Sequence, residues 1–266
     1  MARMRFENGM TSYETWRQTR DDNKKHIVRM DTINDIQENG IKSYADYIRL
    51  VNTVCISEMT GKLTGFYSIS TSVLMNDRCQ ARAKNSDTIC ARCYAAMSLN
   101  NYDGLMMCME SNYIILNTWL IPDNAWCTLA LPSTNGKFRI EAFGDVASVT
   151  CARNYIRIIR THAWLHFGVW TKNSDLWIEA FELEGGKPDN MSFLVSSVFM
   201  DKPYKITEKE RKYVDHVFTV YRPTTIEEKH IDINCGSRDC NGCRKCYGSS
   251  KDIEPGYSFH IREKLK

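Results

Sequence analysis

Short runs rich in β-branched and aromatic residues alternate with helix-compatible stretches over most of the chain, and this alternation constrains the fold more than any other feature. The runs lie at residues 66–71, 138–143, 166–171, 192–198 and 216–221, with helical spacing over 94–120, 149–162 and 175–183. Strands joined by crossover helices return to the sheet in parallel, so the pattern predicts an α/β fold. Residues 12–58 are charged and carry Tyr44, Tyr47, Ile48 and Val51 at helical spacing, which reads as a helical N-terminal arm. Residues 126–131, the turn-rich 132–136 and 137–143 predict one β-hairpin at the second strand. Beyond Pro223 the regular pattern weakens. The expected organisation is an arm over 1–60, an α/β unit over 61–225 and a cysteine-rich tail over 226–266.

Seven of the eleven cysteines fall into two tight groups. Cys79 and Cys90 are separated by ten residues and Cys90 and Cys93 by two; Cys235, Cys240, Cys243 and Cys246 are spaced by four, two and two. Thiolate is a soft ligand that selects zinc, copper(I) or iron–sulfur clusters, so this density points to bound metal. A 4Fe-4S cluster is the first expectation. Three cysteines would leave one iron open to a small molecule, while the late group would complete that cluster or hold a second centre. Zinc in a compact knuckle is the alternative for the late group. Cys55, Cys108, Cys127 and Cys151 stand singly beside apolar sequence and read as core, and the six histidines form no metal-binding spacing.

Composition argues against a secreted disulfide scaffold. A chain of 266 residues with 43% hydrophobic content can bury a full core, and its cysteine count is odd. Neither a signal peptide nor a membrane-spanning run stands out, so the expected setting is a reducing cytoplasm with no membrane partner. The net charge of +3 does not by itself indicate nucleic acid. Arg78, Arg82, Arg92, Arg244 and Lys245 flank the cysteine groups, however. A zinc-stabilised module binding nucleic acid or a host protein therefore stands as the rival reading. Oligomeric state is not legible.

In parallel α/β sheets, ligands collect where strands run out into loops at their carboxyl ends. Polar residues cluster there: Glu141 and Asp145 after the second run and Lys172 after the third are the candidate catalytic groups. Asp145 would alternatively cap the next helix, and Glu141 would pair with Arg139 or bind a substrate ammonium. Tyr94 and Tyr247, each directly after a cysteine pair, suggest rings packed over sulfur.

The order of these features resembles the radical S-adenosylmethionine (SAM) superfamily, with a three-cysteine loop after the first strand and Gly144-Asp145 and Thr171-Lys172-Asn173 after the next two. That resemblance implies a partial parallel (β/α) barrel, a 4Fe-4S cluster, SAM as a co-substrate, and Gly144, Thr171 and Asn173 as cofactor-binding positions. Its usual spacing is three then two, where this loop has ten then two. Over more of its length the chain resembles the phage "gene product eighty-eight" family. That resemblance rests on residues 68–72, Cys79-Gln80-Ala81-Arg82, 90–95, Phe143-Gly144-Asp145, 170–173 and 240–247. It implies a phage or prophage origin and an iron–sulfur site, with no assigned reaction.

Overall fold

The computed structural model describes residues 24–132, 135–236, 239–243, 245–247 and 259–265. The arm before residue 24, the turn residues Ser133 and Thr134, and Arg244 lie outside the described residues. Helices α1 (Lys24–Asn39) and α2 (Tyr44–Thr53) come first, then strands β1 (Ser57–Glu58) and β2 (Tyr67–Ile69). Cysteine-bearing α3 (Asp77–Ala83) is followed by a 3-10 turn (Ile89–Arg92), α4 (Tyr94–Asn101), α5 (Asp103–Thr118) and α6 (Asp123–Trp126). Strands β3 (Lys137–Ile140), β4 (His166–Thr171), β5 (Met191–Ser196) and β6 (His216–Tyr221) then alternate with α7 (Val149–Thr161), α8 (Ser174–Leu183) and α9 (Glu208–Arg211). After α10 (Pro223–Lys229) come α11 (Cys240–Cys243), a 3-10 turn (Lys245–Tyr247) and β7 (Phe259–Lys264).

The sheet has seven strands in chain order, β1 antiparallel to β2 and every later pair parallel. It is thus a mixed α/β architecture with a mostly parallel sheet. The expectation of a tail appended after the sheet needs correction: β7 pairs with β6 over six residues, so the late cysteines lie on a crossover connection within the sheet. Its Phe-His-Ile-Arg-Glu-Lys sequence, with two apolar residues at most on one face, gave no strand signal.

Two further expectations change. The 126–131 segment forms no strand. Trp126 is fully buried as the last residue of α6, and the helical turn is entered from Pro122, whose carbonyl accepts the Ala125 amide at 3.0 Å. The long helix over 94–120 is two helices, because Tyr102 takes an extended conformation (φ −129°, ψ 94°) and a new helix starts at Asp103. An acidic residue in a first turn is favourable there.

Strand alternation sorts the sheet's two faces. Phe138, Ile140, Phe167, Val169, Phe193 and Val195 point into one core with Tyr155, Ile156, Trp177 and Phe181 of α7 and α8. Met30, Ile33, Leu50 and Val51 join the same core, so the described part of the arm is built into it. The opposite face carries Arg139 paired across to Gly168, and Gly168 to Ser192. It is on this face that the late cysteine segment docks.

Candidate metal centre

The Cys79 loop is clamped to the strand ends by side-chain hydrogen bonds. Asn76 caps α3, its Oδ1 accepting the amides of Arg78 and Cys79 at 3.1 and 3.3 Å, while its Nδ2 donates to the Asp145 carbonyl at 2.8 Å. Arg82 donates to the Lys172 carbonyl at 3.0 Å and to Asn173 Oδ1 at 2.6 Å. The ten-residue spacer then crosses to the next strand: the Ile89 amide donates to the Val198 carbonyl at 3.0 Å, and Thr88 bridges to Phe199. The long spacing therefore has a structural cause. It carries the loop from the ends of β3 and β4 to the end of β5 before Cys90 and Cys93 turn back.

Cys79, Cys90 and Cys93 are gathered with Asp145 and Lys172 into one electrostatic neighbourhood. Burial pushes the Cys79 thiol well up, reinforced by Asp145 and Cys90 and opposed by Lys172. Burial likewise raises Cys90, against the pull of Lys172 and Arg82. Burial works against the Lys172 ammonium, yet Cys90, Asp145, Cys79 and Cys93 together raise its pKa, so it stays charged. Beneath the group, Cys79 and Cys93 pack on a small core of Val73, Leu74, Ala95, Leu99 and Met106.

The strand-end carboxylates hold the frame. Asp145 accepts from Thr171 Oγ1 at 2.6 Å and from the Lys172 amide at 2.8 Å, with Arg82 Nη1 at 3.9 Å. It does not cap α7; Ser148 does, accepting the Cys151 amide at 3.1 Å. Glu141 has a left-handed backbone (φ 54°), which breaks the strand alternation and turns its carboxylate into the helix layer. There it accepts the Thr71 amide (2.9 Å), Thr71 Oγ1 (2.7 Å) and Tyr155 Oη (2.8 Å). Burial raises its pKa to about 7 against those hydrogen bonds. Gly144 is required by close approach: a Cβ there would lie 2.2 Å from Glu141 Oε2 and 2.4 Å from the Thr71 carbonyl. Thr171 Oγ1 also accepts the Asn173 amide at 2.8 Å, and Asn173 Nδ2 donates to the Val146 carbonyl at 2.6 Å.

The late cysteines form a second gathering. Cys240 and Cys243 sit one helical turn apart on α11, and Asp239 accepts the Asn241 and Gly242 amides at 2.9 and 3.0 Å to start that turn. Cys235 is fixed where its amide donates to the Arg262 carbonyl of β7 at 2.9 Å. Burial pushes the Cys246 thiol up to about 12, opposed by Arg139 and reinforced by Cys235, Cys240 and Cys243. Burial also raises Cys235 and Cys240, with Lys62 pulling both down.

Tyr247, marked in the sequence by its place after a cysteine pair, meets partners at this second group that the sequence did not indicate. Tyr247 stacks on Phe66 with ring centroids 5.4 Å apart and meets Trp170 edge-on at 5.8 Å. Gly168 makes the seat: a Cβ there would lie 2.8 Å from the Tyr247 ring and 2.6 Å from Trp170. Arg139 stacks its guanidinium 3.1 Å from the Trp170 ring centroid, and so does not pair with Glu141. A glycine and an arginine at paired strand positions are a signal only when their shared face is known.

Among the described residues, no three of His, Cys, Asp and Glu converge closely enough to hold a single metal ion. A tetrahedral zinc–thiolate site needs sulfurs about 3.8 Å apart, from Zn–S bonds of about 2.3 Å. A four-iron cluster takes one thiolate per iron and so spreads its ligands more widely. None of the eleven cysteines is joined in a disulfide. Cys55 and Cys151 are buried as expected for core positions, whereas Cys127 is exposed. No helix among the described residues is long and apolar enough to cross a membrane.

These features define a mixed α/β protein with two cysteine gatherings, one at the carboxyl ends of its parallel strands and one on the sheet face beside them. The chain belongs to the Gene product 88 family, whose model matches residues 55–255 and so takes in both gatherings. No curated protein and no solved structure matches it.

Proposed function

We propose that Cys79, Cys90 and Cys93 bind a 4Fe-4S cluster whose fourth iron is open to a small molecule. The observation that carries this reading is the convergence of three thiols, spaced by ten residues and then two, with the charged Lys172 at the strand ends. The chemistry of the donor set fits. The Cys79 and Cys90 thiols, held protonated by burial, would release protons when metal binds, and the neighbouring cations Lys172 and Arg82 would offset the negative charge of a thiolate-ligated cluster.

In this reading the cluster supplies the open iron and a one-electron couple; the chain supplies position and charge. Lys172, on whose charge all three thiols act, would orient an anionic group of the small molecule. Asp145 holds Lys172 and Thr171 in register, Thr171 and Asn173 build the floor by bonding to each other and to Asp145 and Val146, and Gly144 leaves room for Glu141 and Thr71. Glu141 fixes the start of the cysteine loop through Thr71. SAM is the first small molecule to try, on the sequence resemblance alone.

A curled sheet, open like part of a (β/α) barrel, goes with this proposal. It is supported by the chain-order run of parallel strands and by an ion pair from Lys62, which follows β1, to Glu263 of β7 at the other edge.

The test is iron, acid-labile sulfide and visible and electron paramagnetic resonance (EPR) spectra on anaerobically purified protein, before and after adding SAM. Replacing Cys90 and Cys93 together by Ala is expected to remove this cluster. Unchanged iron and sulfide per chain in that variant refutes the assignment. Zinc without sulfide, with nucleic-acid affinity that falls steeply with salt, replaces it with a binding module.

A further inference from the structure

The late cysteines raise a separate question: whether they complete the cluster just described or bind metal of their own. Two small apolar cores bear on it. One contains Cys79 and Cys93 among its packed neighbours; the other, built on Met59, Phe66, Ala142 and Tyr247, contains Cys240 and Cys246. Phe143 packs against both. Its ring also meets Tyr94, the residue after Cys93, with centroids 5.6 Å apart. On the same partition lies Arg139, held by Trp170, with Tyr94, Tyr247, Cys240 and Cys246 as the negative or ionisable groups around it. A phenyl ring and a guanidinium thus lie at the boundary of two sets of thiols, and the cysteines that act on Cys79, Cys90, Cys235, Cys240 and Cys246 all belong to the same set as the thiol they act on.

We propose that Cys235, Cys240, Cys243 and Cys246 hold a second iron–sulfur cluster, fully ligated by thiolate, and that it is coupled to the first across the Phe143–Arg139 partition. The proposal rests on the cluster assigned above to Cys79, Cys90 and Cys93. Four thiolates close every iron, so the second centre has no site for a small molecule and serves electron transfer. One electron from a low-potential donor of the flavoprotein or ferredoxin class reduces the late cluster. The electron would then cross the Phe143–Arg139 partition to the Cys79 group, leaving the donor oxidised, with no bond made or broken and no proton moved. Arg139 is a positioning residue here. Its charge, close to Cys240 and Cys246 in a desolvated partition, would favour the reduced, more negative state of the late cluster.

The experiment is iron and sulfide analysis with Mössbauer and EPR spectroscopy on the whole chain, reconstituted without oxygen, alongside three variants. The expected result is about eight irons per chain, four for each cluster, with reduced EPR signals broadened by spin–spin interaction. Cys243→Ala with Cys246→Ala should lose half the iron and leave a sharp signal from the open cluster. Cys90→Ala with Cys93→Ala should lose the other half. Arg139→Gln should keep all the iron and move the midpoint potential of the late cluster downward.

Full iron in the Cys243/Cys246 variant overturns the second cluster while leaving the first intact; full iron in the Cys90/Cys93 variant overturns the reading it rests on. About four irons in the wild-type chain, lost in both double variants with native circular dichroism, means one shared centre and also overturns the proposal. If the Cys243/Cys246 variant does not fold, the wild-type iron count and the Mössbauer spectrum decide alone. Two clusters whose reduced EPR signals show no spin–spin broadening refute the coupling, and a late cluster whose potential ignores Arg139→Gln refutes the role given to Arg139.

Discussion

The two cysteine groups are held by opposite kinds of force. Around Cys79, Cys90 and Cys93 the fixing contacts are hydrogen bonds from buried polar side chains: Asn76, Asp145, Thr171 and Asn173, with Arg82 at the edge. Around Cys240 and Cys246 they are ring contacts, with Tyr247 lodged over Gly168 between Phe66 and Trp170. A polar bracket sets angles and distances closely and depends on protonation; an apolar seat depends on shape and volume. One end of the molecule should therefore respond to charge changes and the other to size changes.

The largest effect expected is at the apolar seat. Tyr247→Ala removes a buried aromatic ring, and such truncations cost about 3–5 kcal/mol. The variant should lose stability by that order in urea unfolding and lose metal from the late cysteines, while the Cys79 group keeps its own. Gly168→Ala approaches the same seat from below, with overpacking worth about 1–3 kcal/mol. If either variant strips both groups equally, the two ends are not separable and the contrast fails.

The polar bracket should carry the pH dependence. Burial holds the Glu141 carboxyl at about 7, up from 4.5, with the hydrogen bonds from Thr71 and Tyr155 acting in the other direction. The folded chain thus binds more protons than the unfolded chain between those values, so stability falls as pH rises across them. The contribution is complete below the unfolded value and lost as pH passes the folded one. Its size is on the order of 3 kcal/mol. Unfolding compared at about pH 5 and about pH 8 should show wild type weaker at the higher value and Glu141→Gln much flatter. An undiminished slope in the variant moves the pH dependence to other groups, Asp145 first, since burial raises it too despite Lys172 and Thr171.

Asp145→Ala attacks the bracket directly. It leaves the Lys172 amide and the Thr171 hydroxyl without their acceptor in a buried position, worth about 2–3 kcal/mol. The Cys79 group should lose metal in this variant and the late group should not. Asp145→Asn, which retains one carbonyl acceptor, should lose less.

What the sequence revealed follows the same division. The strand runs at 138–143, 166–171 and 216–221 were legible because buried parallel strands are apolar and β-branched, and α7 because Tyr155, Ile156 and Ile159 recur on one face. The cysteine loop's partners were legible because they sit at strand ends, where position along the chain already indicates proximity. The apolar seat was not. Gly168, Arg139 and Trp170 are near each other only through strand register, and Tyr247 reaches them across a long crossover that a single sequence does not specify. β7 was missed for a related reason: an edge strand with His260, Arg262 and Glu263 in a six-residue run lacks the apolar signal of the inner strands. The roles of Glu141 and Gly144 were also hidden, because a left-handed residue inside a strand end reverses the side its carboxylate faces.

The smallest expected effect asks which members of the polar bracket matter. Arg78 Nη1 donates to both carboxylate oxygens of Asp175, each at 2.8 Å, joining α3 to α8 just beside Cys79. Its distances are short, but the two side chains are 40% and 63% exposed, so water screens the attraction. Arg78→Gln should therefore cost no more than about 0.5 kcal/mol and leave the metal content of the Cys79 group unchanged. The buried contacts Asn76–Asp145 and Arg82–Asn173 already fix the same helix to the same strand ends. A loss above about 1 kcal/mol, or release of metal, would mean that α3 depends on its exposed contact rather than its buried ones. The Cys79 end would then respond to salt as well as to pH, a sensitivity with no counterpart at the apolar seat of Tyr247.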